Sequence, residues 1–431
     1  MADLIVRGVY RLATWAALPF VLAYFYWRGR REPAYRRYWK ERLGWIGDVP
    51  ARAIWIHAAS VGEAILVTPL IRRLEQAYPD RAILVTTMTP TGRERIERTF
   101  ADDVYCRYVP LDTLGATRRF MHRARPGLGV IAETELWPHL LAAADRYEVP
   151  IALVNASVSQ RSAARYQNPL WRQTIARMLA SLAAIGAASP AHAERFVALG
   201  ASAERVHAIG NLKYDNIPAG ADESEATALR DDWQAPDRPI WVAASTHEGE
   251  EARVLDAWAE LRARHPELLL VIAPRHPQRF DSVAELLEAR GIVFARRSTG
   301  QLVGDDTGVV LADTLGEVPL FYAAANVVLV GGSLVPGIEG HNVLEAAALA
   351  RAFCVGPYVR EWREIVDALV AAEAACVCDT PAALVATLDE WLADPDLAAA
   401  AGRAGRQLVH ERSGALERSM QMIETLAHDR A

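Results

Sequence analysis

The chain has 431 residues, 52% of them hydrophobic and 23% charged, enough to build two or three domains with full cores. A formal charge of -6 argues against a general nucleic-acid binder. Four cysteines are too few for a disulfide framework and suit a reducing compartment; Cys376 and Cys378 stand in an apolar segment without a second ligand pair, which reads as strand core rather than a metal site.

The first element in chain order is an uncharged stretch of sixteen residues, Leu12 to Trp27. Sixteen residues fall a little short of the ~20 that span a hydrocarbon core as a helix. Arg7 and Arg11 can snorkel and extend the apolar stretch back to Leu4, so a single span and a deeply inserted helix both remain open. Between Arg28 and Arg42 follow seven basic residues against two acids, Glu32 and Glu41. The positive-inside rule puts this side, and all that comes after it, in the cytoplasm. No small-residue cleavage site follows the apolar run, which argues against a removable signal peptide.

Short β-rich runs then alternate with helical stretches: Ala53 to His57, Ala82 to Thr86, Val104 to Tyr108, Gly129 to Ala132, Ile151 to Val154 and Ala184 to Ala188. This is the pattern of a parallel sheet with helices on both faces. A polar stretch, 217–238, reads as a linker with one weak helix. The alternation restarts with Ile240 to Ala244, Leu268 to Ala273, Ile292 to Ala295, Val309 to Ala312, Val327 to Val330 and Phe353 to Val355, and ends in a long helical segment, Ala382 to His428. The expected organisation is a membrane anchor with its basic flank over 1–31, a first Rossmann-like domain over 32–216, the linker, and a second Rossmann-like domain over 239–431 whose final helix crosses back. Two such domains make a cleft between their strand ends.

The chemistry-bearing residues follow strands. Glu63 stands where the run Ile54 to Ile56 gives way to a helix, the edge at which open α/β sheets hold ligands. Ser60 and Gly62 leave the backbone open to a substrate; the alternative is a first-turn helix acid stabilised by the dipole. Glu133 and Glu135 follow the strand ending at Ala132, and Lys213 follows Gly210 at the domain junction, either reaching across the cleft or simply solvated.

In the second half, Gly331, Gly332 and Ser333 end a strand and lead through Pro336, Gly337 and Gly340 to an expected amphipathic helix beginning near His341 or Asn342. Glycines there let main-chain N–H groups approach a phosphate, and Glu345 suits a ribose diol. An ordinary Gly-rich turn with an Asn cap is the plainer alternative. Neighbouring strand ends carry Arg275 and His276, then Ser245, Thr246 and His247, then Asp313 to Glu317. Four polar strand ends in one sheet suggest a nucleotide. No G-x-G-x-x-G follows an early strand, which argues against a dehydrogenase.

Taken in order, SVGE, ETELWP, GNLKYD, PRHP, TLGE and GGSLVP…GHN…E resemble the 3-deoxy-D-manno-octulosonic acid (Kdo) transferases, and the resemblance covers essentially the whole chain. One block departs from the family pattern: Glu339, Val343 and Ala346 stand where a glycine and two prolines are usual. The resemblance implies a GT-B glycosyltransferase fold, attachment to the cytoplasmic face of the inner membrane, CMP-Kdo as donor, a lipid A precursor hydroxyl as acceptor and inversion at the anomeric carbon. It assigns Glu63 as the base, Glu133 as a second functional acid and Lys213 to charge developing on the donor. CMP binding would fall on Arg275 and His276, on Gly316, Glu317 and Val318, and on Asn342, Val343, Leu344 and Glu345, with Ser245, Thr246 and Ser333 as weaker candidates. No metal or other cofactor is expected: a CMP leaving group carries one phosphate, and the only DxD-spaced acids, Asp394 and Asp396 around Pro395, read as a solvated turn. Rival readings are a UDP-sugar epimerase or a heptosyltransferase of the same architecture, and a silent nucleotide-binding scaffold held at a membrane.

Overall fold

The computed structural model describes residues 2–217, 220 and 222–428. Met1, Pro218, Ala219 and Ala221 of the expected anchor and linker, and 429–431 of the last expected domain, lie outside the described residues. The chain forms two compact units, one made of residues 1–216 with 413–431, the other of 217–412.

The first unit is built on seven parallel strands: β1 (Ile54–His57), β2 (Ile83–Thr87), β3 (Val104–Tyr108), β4 (Leu128–Ala132), β5 (Ile151–Ala156), β6 (Ala184–Ala187) and β7 (Val206–Ala208). Their order is β3-β2-β1-β4-β5-β6-β7. Continuous apolar runs, rather than alternating ones, mark strands covered on both faces, and Ile54, Trp55 and Ile56 are fully buried. Strand order reverses between β1 and β4, the topological switch point where such sheets open a crevice at their carboxyl ends. The Ala415–His428 helix packs on this unit, its start tied down by Asp215, which accepts the N–H of Gly414 and of Leu416.

The second unit holds β8 (Ile240–Thr246), β9 (Leu269–Pro274), β10 (Phe294–Arg296), β11 (Val309–Leu311), β12 (Val327–Val330), β13 (Ala352–Val355) and β14 (Ala375–Val377), again all parallel, in the order β10-β11-β9-β8-β12-β13-β14. Its switch point lies between β8 and β12. The Glu223–Asp232 helix opens with a full capping box of Asp222 and Glu225, and Trp233 beyond it stacks on Phe321 of the same unit. The fold class expected from sequence, two parallel-sheet α/β units preceded by one long apolar helix, is the one observed.

That helix, Ala2–Arg28, lies against the first unit. Tyr10 Oη donates to Asp112 Oδ2 at 2.8 Å, and its ring packs 5.1 Å from that of His139. Asp112 also accepts the N–H of His139 and of Leu140, at the start of the Pro138–Arg146 helix. At the far end, the Arg42 guanidinium lies 4.3 Å from the Phe25 ring and 4.0 Å from that of Tyr108. Arg42 belongs to the basic run but is 1% exposed, so it is a packing residue and not a contact for a membrane surface.

Candidate active site

Glu63 sits in the first turn of the Val61–Ala77 helix, immediately after β1. Ser60 caps the helix by accepting the Glu63 N–H at 3.3 Å, and Glu63 Oε2 reaches back to accept the Ala59 N–H at 2.9 Å. Ser60 thus caps the helix while the Glu63 carboxyl accepts from Ala59, the residue before the cap, so the helix-start role is real. The carboxyl is nonetheless unusual for a cap: only 8% of the residue is exposed. Burial pushes its pKa up to about 7 against the lowering Ala59 and Ser60 bonds, and the nearby charges of Glu133 and Glu135 add to the rise. A capping carboxylate usually lies low; this one is held near neutrality.

Glu133 follows β4, the neighbour of β1 across the switch point. Its backbone is left-handed, with φ 56°, which a β-carbon disfavours by roughly 1–2 kcal/mol. Its N–H is pinned to the Val154 carbonyl, and Thr134 Oγ1 accepts the Ser157 N–H, so β5 holds the turn in shape. Such strain tends to collect where a side chain must be aimed. Glu135, half-buried beside it, accepts the Trp137 indole N–H at 2.7 Å. Lys213 is half-buried in the turn Leu212–Asp215, which Asn155 anchors to β5 by accepting the Leu212 N–H. The structure therefore brings Glu63, Glu133 and Glu135 within electrostatic reach of one another.

In the second unit a histidine cluster occupies the corresponding switch point. His247 Nε2 and His341 Nε2 are 2.7 Å apart with their rings stacked, and the His276 ring meets that of His247 edge-on at 5.1 Å. Two imidazole nitrogens at that distance share one proton, one donating and the other accepting. Burial, then the neighbouring His247, Arg275 and His276, holds the His341 pKa down at about 4. His247 is lowered as well, by burial first and then by His276. Arg275 and His276 are exposed at the end of β9, and Arg275 is close enough to draw the Glu345 carboxyl downward, although burial leaves Glu345 raised overall. Asn342 joins the group by donating to Glu345 Oε1 at 2.9 Å. Thr246 Oγ1, beside His247, is buried and meets no hydrogen-bond partner among the described residues.

The Gly-rich turn differs from the expectation. The N–H groups of Gly332, Ser333 and Leu334, together with that of His247, all donate to one fully buried carboxylate, Glu250, at 2.7 to 2.9 Å. The protein's own anion fills the nest, and those amides are not offered to a phosphate. The glycines answer to chain packing instead: a β-carbon on Gly331 would lie 2.7 Å from the Ser245 carbonyl oxygen, and one on Gly332 would lie 2.7 Å from the His341 ring. Ser333 is fully buried, with its hydroxyl engaged by Val330 and Gly356. The expected amphipathic helix is a five-residue turn of helix, Leu344–Ala348, ended by Ala350 in the left-handed region. Val343 and Leu344 are core side chains, and the Leu344 N–H is taken by Asn342. Gly316, Glu317 and Val318 follow β11 on the same carboxyl edge. Glu317 is engaged by Arg297 and Thr314, whose hydrogen bonds outweigh its burial and hold its carboxyl low.

Among the described residues no group of three or more His, Cys, Asp or Glu side chains is arranged to hold a metal ion. Glu250 and the His247–His341 pair were not assigned roles from sequence. The available signals were a carboxylate shortly after β8 and the single histidine in the Gly-rich run, and neither says what it touches.

Two parallel-sheet units, each with its polar groups gathered where the strand order reverses, define a protein of the GT-B fold class. The UDP-GlcNAc 2-epimerase from Neisseria meningitidis solved with UDP-GlcNAc shares this fold, with a TM-score of 0.56 at 13% identity over 86% of this chain and 100% of that one. Residues 37–216 match the sequence model of the family described as 3-deoxy-D-manno-octulosonic-acid transferase (kdotransferase). The 3-deoxy-D-manno-octulosonic acid transferase of Haemophilus influenzae is 37% identical over 94% of this chain and 95% of its own. That of Bordetella pertussis is 36% identical over 97% and 99%. The chain belongs to the Kdo transferase family and is a glycosyltransferase.

Proposed function

We propose that the enzyme transfers Kdo from CMP-Kdo to a hydroxyl of a lipid A precursor with inversion, at the cytoplasmic face of the inner membrane. The observation that carries the reading is Glu63: a carboxyl at the end of β1, beside the switch point, with its pKa raised to about 7. At that value it is ionised often enough to accept a proton and is a stronger base than an ordinary carboxylate. An alcohol attacking an anomeric carbon must lose its proton, and Glu63 takes it. Glu133, on the adjacent strand end, positions the acceptor or stabilises positive charge developing on the sugar. Lys213 offsets charge developing on the donor.

On the second unit, Arg275, His276 and the His247–His341 pair supply cationic and donor groups for the single phosphate, and Asn342 with Glu345 suits the ribose diol. Val343 and Leu344 contribute packing beneath that site. Gly316, Glu317 and Val318 are assigned to the cytidine side by family resemblance. Guanidinium and imidazole groups suffice for one phosphate, so the reaction proceeds without a divalent cation. Activity abolished by exhaustive chelation and restored by Mg²⁺ would refute that. The test of the base is Glu63→Ala: sugar transfer is lost while CMP binding persists, and unchanged transfer would remove Glu63 from the mechanism.

A further inference from the structure

The N-terminal helix is held along its length by the unit that follows it. Val6 is buried and Tyr10, Thr14, Leu18, Val21 and Phe25 are half-covered, a set spaced three or four residues apart and so one face of a helix. The partners of this face come from across the first unit. Asp112 and His139 meet Tyr10, and His139 Nε2 lies 3.4 Å from Thr14 Oγ1. Tyr35 stacks on Phe25 at 6.0 Å, and Arg36 donates to the Tyr26 carbonyl. Val6 to Phe25 rises about 28 Å along a helix, close to the ~30 Å of a hydrocarbon core.

The opposite face is a second stripe: Val9, Leu12, Ala16, Phe20, Ala23 and Trp27 are all exposed, Phe20 by 76%. Arginines flank the helix along its sides as well as beyond its end. Arg7, Arg11 and Arg118 line a groove of about 720 Å³ on one side, and Arg118 and Arg119 line another with Leu12, Trp15 and Leu18. A helix crossing the bilayer with this face in place would carry Asp112, His139 and Arg118 into hydrocarbon, where charged and polar groups are costly. An apolar stripe bordered by guanidinium groups is the make-up of a helix lying at an anionic lipid surface.

We infer that the Ala2–Arg28 helix lies in the plane of an anionic bilayer, immersed by its Leu12/Ala16/Phe20 stripe and carrying the first unit on its inner face, and does not cross the membrane. This rests on the membrane-attachment part of the proposed function and not on the transfer chemistry. Because Asp112 joins Tyr10 to the start of the Pro138–Arg146 helix, the lipid-bound element is braced against the segment that follows Glu133 and Glu135.

The test is a nitroxide scan of positions 9 to 27 in the full chain bound to phosphatidylglycerol-rich vesicles, with Cys376→Ser removing the one native cysteine that is not buried. Exposure to dissolved oxygen should rise and fall with the helical period, high at Leu12, Ala16 and Phe20 and low at Thr14 and Leu18. A single smooth maximum near Ala16 with both ends in water overturns the proposal. So does spin–spin broadening at the outer stripe that grows with protein concentration, which would make the occupant a second copy. Failure to bind vesicles at all removes the attachment itself, while transfer to a detergent-dispersed acceptor would leave the chemistry standing. A second readout is Gly8→Cys, where a β-carbon meets nothing within 4 Å. A membrane-impermeant maleimide should label it in inside-out vesicles, and labelling from the outside of spheroplasts instead overturns the proposal.

Discussion

Replacing Glu63 by glutamine removes one ionisation from a buried site while keeping its shape and an oxygen to accept the Ala59 N–H. Two effects follow, and they are tied together. The wild-type carboxyl titrates near 7 rather than at the ordinary 4.5, so in the folded protein the charged form is disfavoured. The sign is that of a raised folded-state pKa: its contribution to stability is fully present below pH 4.5 and is lost as pH rises through 7. Raising the carboxyl from 4.5 to about 7 costs the charged form about 3 kcal/mol, at ~1.36 kcal/mol for each tenfold change in protonation. Glu63→Gln should therefore unfold much like the wild type at pH 4.5 to 5, and become more resistant by a margin approaching 3 kcal/mol at pH 8. Transfer activity should move the other way, falling ~10²- to 10⁴-fold for loss of a general base. The wild-type rate itself should drop about tenfold per pH unit below 7 and level off above it. Urea unfolding of both proteins across this pH range, with initial rates of transfer, reads all three. A stability gap that does not change with pH would refute the buried-carboxyl argument, and a wild-type rate flat from pH 5 to 8 would refute the base.

Glu250→Ala should leave three buried N–H groups and the half-buried one of His247 without an acceptor, at ~1–3 kcal/mol for each buried one if unrelieved, so the second unit should unfold early in urea and CMP binding should fail with it. Glu250→Gln, which keeps acceptor capacity on one oxygen only, should fall between; wild-type stability in the alanine variant would contradict the nest. Asp215→Ala should loosen the Ala415–His428 helix by roughly 1–2 kcal/mol, seen as faster amide exchange across 415–428 with donor binding unchanged. His341→Phe removes one partner of the imidazole pair and should raise the KM for CMP-Kdo while preserving the pH limb near 7 that belongs to Glu63; loss of that limb would mean the assignment is wrong.

The sequence was most legible where local pattern decides structure. Continuous apolar runs located twelve of the fourteen strands among the described residues, the apolar Cys376/Cys378 segment read as strand core adds β14, and the acids and bases just beyond the runs fell at the carboxyl edges. The strand missed, β7, is a three-residue edge strand, Val206–Ala208, largely exposed and too short to show a period. What stayed hidden was set by tertiary approach. Glu250 and Gly332 are 82 residues apart and the two histidines 94, so nothing local announces that a carboxylate fills the glycine nest or that the imidazoles meet. Arg42 shows the same limit from the other side. In a run of seven basic residues it reads as surface charge, yet two aromatic rings and the Met88 carbonyl hold it in the core.

The most direct test of the account is to incubate the purified full chain and its Glu63→Ala variant with CMP-Kdo and a tetraacyl lipid A precursor, without divalent cation, and to weigh the lipid product. The account predicts that the wild type adds Kdo to the lipid and releases CMP, while the variant still binds CMP but leaves the lipid mass unchanged. Equal mass gain by both proteins, or none by the wild type while donor and acceptor are both present, would contradict it.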